Sequence, residues 1–300
     1  MKLCWTAGSA CVNGLQLHWE ETGPAHGDPL LLVMGLGGQL IHWPDALCAA
    51  LVEHGFRVIR FDNRDAGLSG AGDRGVKVNL PKAWLDARFG RSTPSNYTLY
   101  DNADDIIGLL DTLGIRRTHI VGASMGGMIS QIVAGRHPQR VRSLTSIMSS
   151  TNHPKLPAAR LDVLWRMASV PRARSREAVI RRSTAMLNRV GSPKFPTPAE
   201  YRRALAGRAY DRAFRPEGSF RQTQAILATG SIEPLLSQIR APTQVIHGLA
   251  DPLLRPACGR RSAQLIRGAR LELIDGMGHD VALPLMPRWA ELIAANAGRA

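Results

Sequence analysis

The 300-residue sequence lacks several features that would narrow its class at once. Its longest nearly apolar run, residues 30–38, is far shorter than the about 20 residues that a membrane-spanning helix needs. The four cysteines, Cys4, Cys11, Cys48 and Cys258, do not form the closely spaced pairs of a zinc or redox motif. No His-Glu-x-x-His segment or comparable ligand cluster occurs among the nine histidines. We therefore expect no integral membrane segment, no bound metal and four small buried thiols.

The composition indicates a globular protein, with 44% hydrophobic and 21% charged residues. A chain of this length is able to bury a large core without metals or disulfides, either as one domain or as a domain with a sizeable insertion. Lys2 precedes a weakly apolar stretch, as in a signal peptide, but Gly8 and Asn13-Gly14 interrupt that stretch early. We expect no signal peptide and a cytoplasmic location.

The formal net charge of +14 is concentrated in one region. Residues 151–230 hold 16 Arg and Lys against 5 Asp and Glu. Only five of the 38 basic residues are lysine, a bias that coding composition explains at least as readily as binding does. No helix-turn-helix, zinc-finger or aromatic RNA-binding pattern accompanies the charge, so we expect no nucleic-acid partner. Steering of anionic substrates is the alternative role for this charge.

Short apolar runs alternate with helical patterns along most of the chain. An Asn-Gly pair between two strand-like runs predicts a hairpin at residues 10–19. Further strands are predicted at 30–34, 58–61, 118–121, 144–148, 243–247 and 271–274, and helices after Pro44 and at 100–113 and 128–134. This alternation predicts an α/β fold, with a mostly parallel central sheet and helices on both faces.

Two segments depart from this alternation. Residues 151–230 contain no strand-like run and consist of Arg-rich helical stretches broken by prolines. We interpret them as a helical insertion that separates a first core part, residues 1–150, from a second, residues 231–300. The connection at 70–96 exceeds the usual length of about 4 to 6 residues, which makes it a candidate wall or lid of a site.

The motif Gly122-x-Ser124-x-Gly126 lies where a predicted strand meets a predicted helix. A serine on such a sharp strand-to-helix turn is exposed at the carboxyl edge of the sheet, and the two glycines avoid collisions within the turn. A glycine-rich helix start with a capping serine is the structural alternative. The context favours a nucleophile at Ser124.

A nucleophilic serine needs a base within hydrogen-bonding distance. His279 follows the last predicted strand in a glycine-flanked loop, at the same edge of the sheet as the serine motif. His247 is a competitor but lies within a predicted strand, and His137 lies at a helix end, where capping is its more natural role. We predict His279 as the base.

The third member of the group must accept the imidazole N–H and stabilise the imidazolium. Asp251 follows the strand before the His279 loop and is well placed for this role. Asp275 and Asp280 are nearer to the histidine in sequence, but adjacent side chains on a tight loop seldom face one another. We therefore predict Asp251 as the partner and interpret Asp280 as a turn residue.

The order Ser124, Asp251, His279 is that of the α/β-hydrolase fold, and the sequence resembles this superfamily over nearly its whole length. Three motifs carry the resemblance: Gly35-Leu36-Gly37-Gly38, Asp62-Asn63-Arg64-Asp65-Ala66-Gly67-Leu68-Ser69 and Gly122-Ala123-Ser124-Met125-Gly126-Gly127. The second resembles the superfamily turn Asp-x-Arg-Gly-x-Gly-x-Ser, with Asp65 in place of a glycine. This variant is similar to bacterial esterases of the aclacinomycin methylesterase-like type.

The resemblance implies an oxyanion hole formed by the backbone N–H groups of Leu36 and Met125. Many superfamily members have His-Gly at the first of these loops, where this sequence has Met34-Gly35. We predict Met34, Gly35 and Met277 as residues that contact the substrate, although core packing explains the methionines equally well. The resemblance also implies that residues 151–230 form a helical cap over the active site.

These residues predict a serine hydrolase that cleaves a small-molecule ester, with an apolar acyl or alcohol group, through an acyl-enzyme and without a cofactor. Cofactor-free perhydrolases or haloperoxidases, carbon–carbon bond hydrolases, thioesterases and acyltransferases use the same three residues, and motifs do not separate them. A ligand-binding receptor on a hydrolase scaffold is an alternative of another class. The sequence predicts no oligomeric state.

Overall fold

The computed structural model describes residues 3–71, 75–76, 78–169 and 175–300. Its strands are β1 (Thr6–Val12), β2 (Leu15–Thr22), β3 (Asp28–Val33), β4 (Phe56–Phe61), β5 (Thr118–Ala123), β6 (Val141–Ile147), β7 (Thr243–Gly248) and β8 (Arg270–Ile274). Its helices are α1 (Asp45–Glu53), α2 (Leu80–Arg88), α3 (Leu99–Thr112), α4 (Met125–Arg136), α5 (Leu161–Ser169), α6 (Arg176–Val190), α7 (Ala199–Arg212), α8 (Pro216–Thr229), α9 (Glu233–Leu236), α10 (Pro256–Leu265) and α11 (Met286–Ala297).

The strands form one sheet in the order β1-β2-β4-β3-β5-β6-β7-β8. β1 and β2 form the predicted hairpin, with Asn13 and Gly14 at positive φ in its turn. β2 also pairs antiparallel with β4, whereas all the later pairings are parallel. The carboxyl ends of β3 to β8 therefore meet at one edge of the sheet. The loops that carry the three predicted catalytic side chains follow β5, β7 and β8 at this edge.

Each face of the sheet is covered by its own hydrophobic cluster. Leu31 and Val33 of β3 point into the first cluster, which includes apolar side chains of α3 and α4. Leu30 and Leu32, their neighbours along the same strand, point into the second, which includes side chains of α1 and α11. Because consecutive residues of a strand point to opposite faces and both faces are buried, the parallel strands appear in the sequence as unbroken hydrophobic runs. The predicted α/β fold class is confirmed.

The segment between β6 and β7 contributes helices α5 to α9 and, within its described residues, no strand. α6 packs against α7, and α8 packs against α3 of the core. The long connection at 70–96 is not an open loop throughout, because it contains α2, whose N-terminus is capped by Asn79. α2 in turn packs against α8. We refer to α5 to α8 with their connections as the cap.

Two of the four cysteines do not match the expectation of buried thiols. Cys48 and Cys258 are buried, but Cys4 and Cys11 are exposed. Cys11 lies on the edge strand β1, where Ala10 and Val12 on either side of it face the core. The two-residue period of the strand therefore turns Cys11 outward.

Within the described ranges, no helix has the length and apolar character that a membrane crossing demands.

Candidate active site

Ser124 lies on the turn between β5 and α4 with a strained backbone, at φ 54° and ψ −119°. The turn is tight on both sides of the serine. A Cβ on Gly122 would lie 2.3 Å from the carbonyl oxygen of Gly126, and a Cβ on Gly126 would lie 2.0 Å from that of Val33. Only glycine fits at either position, so the two glycines allow the turn that presents Ser124 at the edge of the sheet.

The structure brings Ser124, His279 and Asp251 together. His279 Nε2 lies 3.0 Å from Ser124 Oγ, and His279 Nδ1 lies 2.7 Å from Asp251 Oδ2. A carboxylate only accepts hydrogen bonds, so Nδ1 carries the proton and Nε2 presents its lone pair to the serine hydroxyl. The Asp251 side chain is fully buried and that of His279 is 8% exposed. This geometry is that of a nucleophile, a base and a partner that orients the base.

The turn after β7 fixes the orientation of the Asp251 carboxylate. Its Oδ1 accepts the backbone N–H groups of Leu253 and Leu254, at 2.8 and 2.9 Å. The competing residue His247 also contacts this turn, because its Nε2 lies 2.8 Å from the carbonyl oxygen of Leu254. Burial lowers the pKa of His247, which keeps a second positive charge away from the carboxylate.

The other competing residues are placed elsewhere. His137 caps the end of α4, and Asp275 is an exposed partner of Lys194. Asp280 is not an ordinary turn residue, because it is buried and accepts a 2.6 Å hydrogen bond from the hydroxyl of Ser192 in the cap. Burial raises the pKa of this carboxyl. Its contact with a residue 88 positions earlier in the chain left no signal in the sequence.

The loop after β3 touches the turn that carries Ser124. A Cβ on Gly35 would lie 3.1 Å from Ser124 Cβ and 3.7 Å from Ser124 Oγ, so a side chain at this position would be crowded against the serine. Leu36 is 38% exposed beside it. Met125 is the first residue of α4, where the helix leaves the backbone N–H without an intrahelical acceptor. The predicted oxyanion pair, Leu36 and Met125, thus lies on the two loops that meet at Ser124.

Two residues that sequence reasoning missed support the loop after β3. Asn63 Nδ2 donates to the carbonyl oxygen of Met34 at 2.9 Å. Gln222 of α8 accepts the backbone N–H of Gly37 at 2.8 Å and donates to the carbonyl oxygen of Arg64. Asn63 lies in a motif that the resemblance had singled out, whereas Gln222 lies in the cap and has no distinguishing pattern.

The three methionines that flank the catalytic loops are buried. Met34 and Met277 are 5% and 0% exposed and belong to the hydrophobic cluster on one face of the sheet. Met125, 1% exposed, belongs to the cluster on the other face. Core packing is therefore their observed role, and contact of Met34 or Met277 with a substrate stays a prediction.

Part of the basic charge of the cap is bound to acidic groups of the core. Arg212 of α7 donates to the fully buried carboxylate of Asp62 at 2.7 Å. Arg221 of α8 donates twice to Asp65, at 2.6 and 2.9 Å. These ion pairs hold the cap above the turn after β4. They give a structural reason for arginine in this region that neither coding composition nor substrate steering supplies.

A cavity of about 190 Å³ lies between the cap and the loops after β3 and β4. Its cap side is mostly apolar and includes Val179, Ala206, Ala209, Tyr210 and Phe214. Gly37, two positions from Gly35, lines it on the core side.

The described ranges hold no cluster of three or more His, Cys, Asp or Glu side chains arranged to bind a metal ion.

Comparisons with known proteins identify the family of this fold. Residues 28–284 match a family model described as alpha/beta hydrolase fold. The putative carbamate hydrolase RutD of Variovorax paradoxus (strain S110) is 30% identical over 278 residues, which cover 88% of this chain and 90% of that protein. The rhodomycin D methylesterase DnrP of Streptomyces peucetius is 27% identical over 300 residues, which cover 93% and 94%. The predicted likeness to bacterial methylesterases is confirmed.

Among solved structures, the enol-lactonase of Burkholderia xenovorans LB400 is similar to this chain. The similarity covers 97% of this chain and 100% of the enol-lactonase chain. The TM-score is 0.74 and the sequence identity is 25%.

Proposed function

The chain belongs to the α/β-hydrolase fold family, and we propose that it is a serine hydrolase that cleaves carboxylic esters of small molecules. The observation that carries the proposal is the continuous contact from Ser124 Oγ to His279 Nε2 and from His279 Nδ1 to Asp251. An ester substrate is favoured because a methylesterase is among the relatives that match over nearly the whole chain. A cytoplasmic location remains part of the proposal.

In the first half-reaction, Ser124 Oγ attacks the ester carbonyl carbon while His279 Nε2 takes the hydroxyl proton. The negative charge moves to the carbonyl oxygen, where the N–H groups of Leu36 and Met125 are proposed to stabilise it. The carbon–oxygen bond to the alcohol then breaks, and the alcohol leaves with the proton from His279. Asp251 stabilises the imidazolium that exists between these two proton transfers.

In the second half-reaction, water replaces the alcohol. It loses a proton to His279 and attacks the acyl-enzyme, and Ser124 recovers its proton when the carboxylic acid leaves. This sequence requires no cofactor. An apolar acyl or alcohol group is part of the proposal, because the cap presents apolar side chains to the cavity between cap and core, whose core side also includes the polar residues Gln39, His42 and Asp65.

The test compares steady-state hydrolysis of p-nitrophenyl acetate, butyrate and octanoate by the native protein, by Ser124→Ala and by Ser237→Ala. Ser237 is an exposed serine at the end of α9 and serves as the matched control. We expect kcat to fall on the order of 10⁴-fold or more in Ser124→Ala and to stay unchanged in the control. A fluorophosphonate reagent should add one covalent group to the native protein and none to Ser124→Ala.

The possible outcomes separate the candidate functions. Equal rates in all three proteins would show that Ser124 is not the nucleophile. Fluorophosphonate labelling of Ser124 without sustained ester turnover would favour a carbon–carbon bond hydrolase, a perhydrolase or a ligand-binding receptor over an esterase.

A further inference from the structure

A segment of the cap, residues 190–197 from the last residue of α6 into the connection before α7, lies against the loop that carries His279. The carbonyl oxygen of Val190 accepts the backbone N–H of His279 itself at 2.6 Å. Further along, Lys194 donates its N–H to the carbonyl oxygen of Gly276 at 3.3 Å, and the Thr197 hydroxyl accepts the N–H of Leu283 at 3.1 Å. The cap segment therefore contacts the His279 loop at several separate points, on both sides of His279.

The hydroxyl of Ser192 bridges the two residues that flank His279. It accepts the backbone N–H of Gly278 at 2.9 Å and donates to Asp280 Oδ1 at 2.6 Å. Ser192 is 5% exposed and Asp280 is 7% exposed, so water does not readily replace either hydrogen bond. Together with the contact of Val190, the cap fixes three consecutive residues centred on the proposed base.

The close approach of the two backbones depends on glycine. A Cβ on Gly278 would lie 2.4 Å from the carbonyl oxygens of both Val190 and Gly191. A side chain at this position would push the His279 loop away from the cap. Glycine at position 278 therefore allows the His279 loop to approach the cap this closely.

The His279 loop needs such support, because its imidazole must meet two partners from different strands at once. Its ring nitrogens contact Ser124 Oγ at 3.0 Å and Asp251 Oδ2 at 2.7 Å, and a displacement of the backbone would lengthen one or both contacts. Misplacement by about 1 Å is able to cost on the order of 100-fold in rate. On the core side, this loop follows the terminal strand β8, which among the described strands pairs only with β7.

We propose that Ser192 is a positioning residue for the base, and that the cap contributes through it to the catalytic geometry as well as covering the site. The inference rests on the proposed function of His279. The contact between residues 190–192 and the His279 loop must therefore persist during turnover. Any opening of the cap has to take place away from these residues.

The test uses Ser192→Ala, which removes both hydrogen bonds, and Ser192→Thr, which keeps the hydroxyl. Thr184→Ala is the matched control, since it removes a hydroxyl of the cap that bonds within α6, to the carbonyl oxygen of Ile180. For p-nitrophenyl butyrate we expect kcat of Ser192→Ala to fall about 10- to 100-fold with KM changed less than about 2-fold. Ser192→Thr should recover most of this loss, and Thr184→Ala should show none.

The pH–rate profile separates positioning from a loss of folding. A base held less firmly against Asp251 has a less stabilised imidazolium, so the acid limb of kcat/KM in Ser192→Ala should move toward lower pH. A merely destabilised protein would keep the position of that limb. Should Ser192→Ala not fold, Ser192→Cys takes its place, because it keeps the volume of the side chain but replaces a strong hydrogen-bonding group with a weak one.

Native kcat and a native pH profile in Ser192→Ala, or in Ser192→Cys where that variant replaces it, would overturn the inference. Its failure is distinguishable from that of the proposed function. The proposed function fails if Ser124→Ala keeps its activity, whereas this inference alone fails if Ser124→Ala is inactive and the Ser192 variants are not impaired.

Discussion

Asp65 of the core accepts two hydrogen bonds from the Arg221 guanidinium of cap helix α8, at 2.6 and 2.9 Å. The hydroxyl of Tyr97 donates to the same carboxylate at 2.8 Å. Asp65 has a φ of 68°, in the left-handed region where a glycine is expected and where aspartate is tolerated better than most residues. The departure of this sequence from the superfamily turn therefore has a structural function: the side chain at this position ties the cap to the core.

We expect Arg221→Ala to lower the free energy of unfolding by about 3 kcal/mol, because it leaves a fully buried carboxylate without its ion pair. The double variant Asp65→Asn with Arg221→Met should recover at least half of this loss, since it removes both charges and the asparagine still offers an acceptor to the Tyr97 hydroxyl. Urea unfolding measures both values. Arg181→Ala, at an exposed ion pair with Glu177, is the control and should change stability by less than about 0.5 kcal/mol. A loss no larger than that of the control in Arg221→Ala would contradict the prediction.

Asp251→Asn should lower kcat by about 10³- to 10⁴-fold while the protein stays folded. The asparagine oxygen is still able to accept the N–H groups of Leu253 and Leu254, but its amide group cannot accept the Nδ1–H of His279. Steady-state hydrolysis of p-nitrophenyl butyrate, with Asp111→Asn at an exposed site as the control, measures the effect. Activity within about 10-fold of the native value would show that Asp251 does not orient the base.

Gly35→Ala should lower kcat/KM about 100-fold, because its methyl group would press on Ser124 and displace the loop that carries the Leu36 N–H. Gly298→Ala is the matched control: it lies after α11 at φ −67°, and the Cβ it would gain lies 3.7 Å from the carbonyl oxygen of Ala294, an ordinary van der Waals contact. The rate of fluorophosphonate labelling at Ser124 provides a second measurement. Equal labelling rates in the two variants would rule out the proposed contact.

Stability should fall between pH 7.5 and pH 5 in part because of His119. Burial lowers the pKa of this histidine from 6.5 to about 4, and its Nδ1 lies 2.8 Å from the Ser143 hydroxyl. The folded pKa lies below the unfolded one, so the stabilisation is complete above pH 6.5 and is lost as the pH falls toward 4. His119→Gln should reduce the loss of unfolding free energy between pH 7.5 and 5 by about 2 kcal/mol. Identical pH slopes in urea unfolding of both proteins would contradict this assignment.

Local patterns in the sequence are enough to predict the central sheet and the positions of the three candidate catalytic residues. Apolar runs mark buried parallel strands, and the carboxyl ends of such strands meet at one edge, so the loops after β5, β7 and β8 had to come together. The steric demand of the turn around Ser124 is also local, because Gly122 and Gly126 lie within two residues of it. Patterns that span only a few neighbouring residues are detectable in a single sequence.

The residues that support the site are recognised only once the chain is folded. Ser192 and Asp280 are 88 positions apart, Asp65 and Arg221 are 156 apart, and Gly37 and Gln222 are 185 apart. Each pair joins the cap to the core, and neither member has a local pattern that names its partner. The sequence predicted a turn position for Asp280 and a regional excess of basic residues without identified partners, because hydrogen bonds and ion pairs between distant segments depend on how the cap docks. That docking is set by the packing of whole helices and not by the spacing of residues along the chain.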